Sequence, residues 1–204
     1  MRENGPSGPS GESRIVVGIT GASGVIYGIE LLKALSSMPV ETHLILTEAA
    51  KRTISMETDF RVEQVEAMAK VVHHWRDYGA APASGSFLTR GMAIVPCTIK
   101  TLSAIVNSYN DNLLVRAADV CIKERRRLVL AVRETPLHLG HLRLMCQAVE
   151  MGAVVLPPIP GFYHRPSSVH ELVAHVVGKI LDQLGIEHQL FRRWEGPRDG
   201  FPYP

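Results

Sequence analysis

Residues 18 to 28 read "GITGASGVIYG", a run of small residues between the apolar stretch "RIVVGIT" and the helical stretch "IELLKALSS". Strand, small-residue turn and helix in that order are the parts of an anion cradle. Gly21 and Gly24 let a ligand approach the backbone, Ser23 offers a hydroxyl, and the helix start aims free amides at negative charge. A mononucleotide phosphate suits such a turn, although a plain tight strand-to-helix turn reads the same way. The full G-x-G-x-x-G spacing is absent, which disfavours NAD. "PCTIKTLSAI" (96 to 105) repeats the pattern with Thr98 and Thr101 at a helix start, where helix capping is the simpler role. In "LVLAVRETPLHLGHL" (128 to 142), Arg133, Glu134 and Thr135 directly follow a third apolar run. "ISMETDF" sets Glu57 beside a helix end, and "ASGSF" (83 to 87) is a small-residue loop fit to wrap a planar ligand. Taken singly, each carboxylate is more often a solvated surface group than an acid or base.

These residues converge only if a particular frame holds them. Five apolar runs read as strands buried on both faces: 14 to 20, 41 to 47, 91 to 97, 127 to 133 and 153 to 159. Helical periods fill the gaps at 24 to 37, 48 to 56, 62 to 70, 99 to 107, 112 to 123, 138 to 150 and 168 to 184. That alternation predicts one α/β domain over 14 to 190, a doubly wound parallel sheet of Rossmann-like or flavodoxin-like type with helices on both faces. Ligands of such sheets gather beyond the carboxyl ends of the strands, where Ser23, Thr47, Thr98 and Arg133 all fall.

Composition narrows the partners. With 204 residues, 46% hydrophobic and 21% charged, the chain can bury one substantial core. A net charge of +2, with "KERRR" as the one basic cluster, indicates no surface for nucleic acid. Cys97, Cys121 and Cys146 lack disulfide or zinc spacing, so a reducing cytoplasm is the simplest compartment. No run reaches membrane-spanning length. Residues 1 to 13 read as a disordered lead-in and 191 to 204 as an irregular tail anchored by Trp194. His138 and His141, with His164 later, lack a convincing third metal ligand and read as cap and surface chemistry. Cys97 has no neighbouring base and reads as a small buried filler.

Together, "GITGASGVIYG", "METD", "ASGSF", "PCTIKTLS", "RAADVCIKERRRLVLAVRETPLHLGHL" and "PPIPGFYHRP" resemble the UbiX-type flavin prenyltransferases, over roughly residues 14 to 195. The resemblance implies a metal-independent transferase that binds reduced FMN and dimethylallyl phosphate and attaches the prenyl group to flavin N5 and C6. The prenylated FMN then serves a UbiD-type decarboxylase. It further implies flavin contacts at Gly21, Ala22, Ser23, Thr47, Thr98, Ile99, Lys100, Thr101 and Arg133. Prenyl-phosphate contacts are implied at Arg116, Lys123, Glu134, Tyr163 and Lys179, with Ser84 in the flexible loop. Lys179 stands where many relatives carry Arg, so a point charge replaces a bidentate fork. Several of these contacts come from neighbouring subunits, because members assemble as trimers and dodecamers.

The resemblance also divides the chemistry. Cationic side chains and Tyr163 stabilise the departing phosphate, and Trp194, with Tyr78 as a second candidate, supplies an aromatic wall for the allylic cation. Glu57 or Glu134, with the released phosphate, removes the C6 proton. Two other readings stand beside this one: an FMN-dependent cysteine decarboxylase, which lacks its "PxMNxxM"-type context here, and a flavin-carrying accessory subunit that does no chemistry.

Overall fold

The computed structural model describes residues 14–196. Six strands follow in chain order: β1 (Arg14–Ile19), β2 (Glu41–Leu46), β3 (Val71–His74), β4 (Gly91–Cys97), β5 (Arg127–Val132) and β6 (Val154–Val155). The helices are α1 (Val25–Ser36), α2 (Glu48–Glu57), α3 (Val62–Glu66), α4 (Ile99–Val106), α5 (Leu113–Lys123), α6 (Leu139–Glu150) and α7 (Val169–Leu184). Every strand pair is parallel, in the order β3-β2-β1-β4-β5-β6. The doubly wound α/β architecture is as expected, and its order is the Rossmann one, with the switch point between β1 and β4.

Burial on both faces explains the continuous apolar runs. Successive side chains of a strand point to opposite faces, so Ile15, Val17, Ile19, Ala93 and Val95 pack beneath α1 and α7. Val16, Met92, Ile94, Leu128 and Leu130 pack beneath α4 and α5. A Cβ on Gly28 would stand 2.3 Å from the Val95 carbonyl oxygen, so this glycine sets how closely α1 lies on the sheet.

Three expectations change. The predicted helix 62 to 70 stops at Glu66, and the unpredicted edge strand β3 follows it. Only four residues long, with His73 and His74 at its end, β3 offers too little periodicity to stand out. The predicted strand 153 to 159 shrinks to Val154–Val155, since Pro157, Pro158 and Pro160 lack the amide a ladder needs. The tail is not anchored by Trp194, which is 62% exposed. Phe191 holds it instead, in a notch where a Cβ on Gly178 would stand 2.5 Å from the Phe191 ring. Arg193 adds a two-pronged contact to Asp182 at 2.7 and 3.2 Å. The expected lead-in, 1 to 13, and the tail beyond 196 lie outside the described residues.

A polar cluster joins β1, β2 and β3. Glu41 Oε1 accepts from His43 Nε2 at 2.8 Å and from Arg14 Nε at 3.3 Å. On its other side His43 Nδ1 meets His73 Nε2, 2.9 Å away. Phe87 covers the group, edge-on to His43 and 5.0 Å from the Arg14 guanidinium. The His43 bond holds Glu41 below the usual carboxylate value. Burial, with His43 adding to it, holds His73 below the usual histidine value, against the opposing pull of Asp77. Both depressed groups bind fewer protons folded than unfolded, so each loses its contribution as pH falls. Thermal melts should show stability declining from about pH 6.5, where an unfolded histidine begins to protonate, and further below 4.5. His73→Gln should flatten the upper part of that decline; an unchanged slope would remove His73 from the account.

Candidate functional site

The carboxyl ends of β2, β1, β4 and β5 stand side by side, so Thr47, Gly21–Ser23, Thr98 and Arg133 form a row along one edge of the sheet. Short hydrogen bonds stitch the row together. The Thr47 amide donates to the Ile19 carbonyl at 3.1 Å, and the Arg133 amide donates to the Cys97 carbonyl at 3.1 Å. Between them, Thr20 Oγ1 donates to the Pro96 carbonyl at 2.7 Å and accepts from the Thr98 amide at 2.9 Å. Thr20 is 1% exposed and closes the apolar run "RIVVGIT". Sequence reasoning passed over it; a lone hydroxyl ending an otherwise apolar strand was the available signal.

The two anion cradles differ. At α1 the Glu57 carboxylate, arriving from the end of α2, already accepts from the Gly24 amide at 2.8 Å and the Val25 amide at 3.4 Å. Gly24 sits at φ +95°, a backbone region that favours glycine. A Cβ on Gly21 would come within 2.4 Å of Ala49 Cβ, so this glycine admits α2 as a neighbour. Ala22 is buried, whereas Ser23 is exposed on the turn. At α4 the Thr98 hydroxyl caps the Thr101 amide at 3.1 Å and also meets the Thr101 hydroxyl at 3.0 Å. The Ile99 and Lys100 amides ahead of it have no intrahelical acceptor, as the first turn of any helix requires. Lys100 extends into solvent and touches Asp111 at 3.4 Å. An anion at this edge therefore meets the first amides of α4 and the exposed Arg133, but finds the Gly24 and Val25 amides at α1 taken. Thr47 likewise spends its hydroxyl on the Ala50 amide, 3.1 Å away.

Glu134 follows Arg133 on the same edge, where its carboxylate accepts from the Thr135 amide at 3.0 Å. Tyr163 lies in the loop after β6, with Trp194 edge-on at 6.0 Å between ring centroids. Lys179 is exposed on α7 and weakly paired with Asp182 at 3.5 Å. The Tyr163 hydroxyl meets His175 Nε2, a buried residue of α7 that the sequence reading did not single out.

Arg116, Lys123 and Ser84 are elsewhere. Lys123 ends α5 just before β5 begins, at the amino edge of the sheet, and pairs with Glu124. The 83 to 87 loop lies against it: a Cβ on Gly85 would stand 2.8 Å from Lys123 Nζ. Arg116 Nε donates to the Ala83 carbonyl at 3.1 Å and Arg126 donates to the Phe87 carbonyl at 2.7 Å, so both ends of the Ser84 loop are tied down. The length of β5, about 20 Å at ~3.3 Å per residue, separates Lys123 from Arg133; Arg116, seven residues earlier on α5, lies about 10 Å nearer the carboxyl edge at ~1.5 Å per residue. Within one protomer Lys123 and Arg133 stand at opposite edges of the sheet. Tyr78 follows β3 and donates to the Asp111 carbonyl. Asp111 in turn pairs with Lys100 at the start of α4, so Tyr78 belongs to the surroundings of the α4 cradle, whereas Trp194 packs on Tyr163 beside α7.

Burial pushes the Cys97 thiol up to about 12, so it stays protonated and is no nucleophile. His138 caps α6 by accepting from the Gly140 amide at 3.0 Å, with the His141 ring 3.6 Å away.

Comparison with known proteins places this geometry. The Flavoprotein family model matches residues 3–180. The flavin prenyltransferase UbiX of Escherichia coli K12 is 58% identical over 186 residues, covering 90% of this chain and 98% of that protein. The solved structure of AnUbiX (PadA1) in complex with FMN and dimethylallyl pyrophosphate superposes at a TM-score of 0.90 with 46% identity, covering 92% of this chain and all of that one. A dodecameric FMN-dependent UbiX-like decarboxylase from Escherichia coli O157:H7 superposes at 0.88 with 47% identity, over 90% of this chain and all of that one.

Replacing Thr20 by Val keeps the shape but leaves the Thr98 amide without its acceptor inside the protein. Urea unfolding should show a loss of about 1–3 kcal/mol, with flavin affinity falling alongside; a variant as stable as the parent would show that the stitch is dispensable.

Proposed function

The chain belongs to the UbiX-type flavin prenyltransferases, and from that membership we propose that it transfers a dimethylallyl group from dimethylallyl phosphate to N5 and C6 of reduced FMN. The observation that carries this reading is kinship across almost the whole folded part, 58% over 186 residues. The carboxyl edge suits FMN: Ser23 is exposed, the α4 amides of Ile99 and Lys100 suit its phosphate, and Arg133 supplies positive charge beside them. Gly21, Ala22, Thr47, Thr98 and Thr101 shape the floor. The reduced flavin supplies the electron-rich nitrogen and carbon that take the prenyl group.

The chain's own residues do the rest. Lys123, Lys179, Arg116 and Tyr163 gather on the donor phosphate and stabilise the charge that builds on its leaving oxygens. Ser84, on its tethered loop, borders the same group. Trp194 offers a π-face to the allylic fragment. Glu57 and Glu134, both at the flavin edge, are the carboxylates placed to take the C6 proton with the released phosphate. Cys97, Cys121 and Cys146 are free thiols, in keeping with a reducing cytoplasm. Among the described residues no helix is long and apolar enough to cross a membrane. The prenylated flavin leaves for a UbiD-type decarboxylase.

A complete site needs more than one protomer. Lys123, with the Ser84 loop against it, lies a strand length from Arg133, and a five-carbon phosphate cannot bridge that gap. A neighbouring subunit brings them to the flavin edge. The surface is built for such assembly: α6 buries only Ala148 in its own core, while Leu139, Leu142, Cys146 and Val149 make an exposed stripe. Phe162 and Ile159 are 67% and 76% exposed nearby in sequence. A trimer-based homo-oligomer, up to a dodecamer, covers these faces.

Anaerobic incubation with FMN, a reductant and dimethylallyl phosphate should yield a flavin heavier by one prenyl unit in the mass spectrum. Its absence would leave the accessory-subunit reading instead. Glu57→Gln keeps a capping oxygen for α1, so it should bind FMN yet form no adduct. Lys123→Met should also be inactive. Co-expressed Glu57→Gln and Lys123→Met chains should regain part of the activity, because some mixed interfaces pair an intact Glu57 with an intact Lys123. No recovery would mean that both residues serve one site from the same subunit.

A further inference from the structure

Tyr163 is the one aromatic hydroxyl assigned to the donor phosphate, and a phenol has a single proton to give. Which way that proton points is decided behind it, on α7. The Gly161 amide donates to His175 Nδ1 at 3.2 Å. An amide N–H can only donate, so Nδ1 must be the bare nitrogen of a neutral imidazole, and the ring proton therefore sits on Nε2. Nε2 is 3.3 Å from the Tyr163 hydroxyl, which must accept there. The phenol proton is left free on the side away from α7, where Tyr163 is 45% exposed.

The surroundings hold this arrangement. His175 is 6% exposed on a helix face otherwise formed by Val173, Val176, Val177 and Ile180. His164 stacks on it at 5.1 Å with rings 12° from parallel, and Phe191 covers another side at 4.7 Å. Burial keeps His175 below the usual histidine value, His164 and Lys179 push the same way, and Asp182 opposes them. A neutral ring is thus the working form at physiological pH. A phenol that accepts one hydrogen bond also becomes a stronger donor through its own.

We propose that His175 is a positioning residue for Tyr163: its Nε2–H occupies the phenol oxygen, so the phenol's own proton is presented to the donor phosphate. This rests on the reading that Tyr163 meets that phosphate. It explains why a polar ring interrupts the apolar face of α7, and it ties the "PGFYHRP" loop to the helix through two hydrogen bonds to one side chain.

Two substitutions separate the roles of the ring nitrogens. In His175→Gln the amide nitrogen reaches the Nε2 position and can still donate to Tyr163. In His175→Asn the shorter side chain keeps an acceptor for the Gly161 amide but leaves Tyr163 without its donor. Initial rates of prenylated-FMN formation should give a kcat/KM for dimethylallyl phosphate in the Gln variant within about threefold of the parent, and in the Asn variant a loss of about tenfold or more. FMN affinity, read by flavin fluorescence, should be unchanged in both. Against a Tyr163→Phe background, His175→Asn should add no further loss, because the group it orients is already gone. If the Asn variant outperforms the Gln variant, or if its loss multiplies with that of Tyr163→Phe, His175 merely holds the loop and the assignment is overturned. If Tyr163→Phe alone changes neither kcat nor KM, the placement of Tyr163 on the phosphate falls, and His175 with it.

Discussion

Thr20 Oγ1 donates its proton to the Pro96 carbonyl and takes one from the Thr98 amide, and through these two bonds the ends of β1 and β4 hold a fixed relation. The rest of the carboxyl edge depends on that relation. β1 and β4 flank the point where the strand order reverses, which is where a doubly wound sheet opens a crevice. If they drifted apart, the Ser23 turn and the α4 amides would no longer face one ligand. The hydroxyl works because it is buried: a group with both partners satisfied in a dry interior is held firmly, since neither bond can be exchanged for water.

The same edge shows how one physical device serves two ends. Helix starts attract anions, and the chain uses that twice. At α1 the attraction is met internally, by the Glu57 carboxylate on the Gly24 and Val25 amides. That contact fixes a carboxylate at the carboxyl edge while capping a helix. At α4 the cap is the neutral hydroxyl of Thr98, which leaves the first amides and their partial positive charge for a ligand. The difference leaves one helix start closed by a carboxylate and the other open to an anion.

Parallel topology imposes a further constraint. Each strand carries its flanking residues to opposite edges, so the cations at the end of α5 cannot reach the crevice of their own protomer. The exposed apolar face of α6 is a surface of the kind that interfaces cover. On the third side, the returning tail packs Phe191 into the Gly178 notch and brings Trp194 up to Tyr163. There His175 is the common contact of helix, loop and tail.

Much of this was written in the chain order. Apolar runs buried on both faces marked β1, β2, β4 and β5, helical periods marked all seven helices, and a residue that directly follows a buried strand has little choice of edge, so Ser23, Thr47, Thr98 and Arg133 were placed before any coordinates. β3 escaped because four residues carry too few turns of a two-residue period, and the strand beyond Val155 was overestimated because proline cannot join a ladder. The family resemblance named Lys123 and Ser84, but no local pattern says that Lys123 lies on the far edge with the Ser84 loop against it; only closing the sheet reveals it. Likewise the roles of Thr20, Glu57 and His175 arise from partners 76, 33 and 12 to 14 residues away. Sequence determines which elements form, because periodicity and burial act over a few residues; which polar atoms meet is decided by packing, because a hydrogen bond senses distance in space and not separation along the chain.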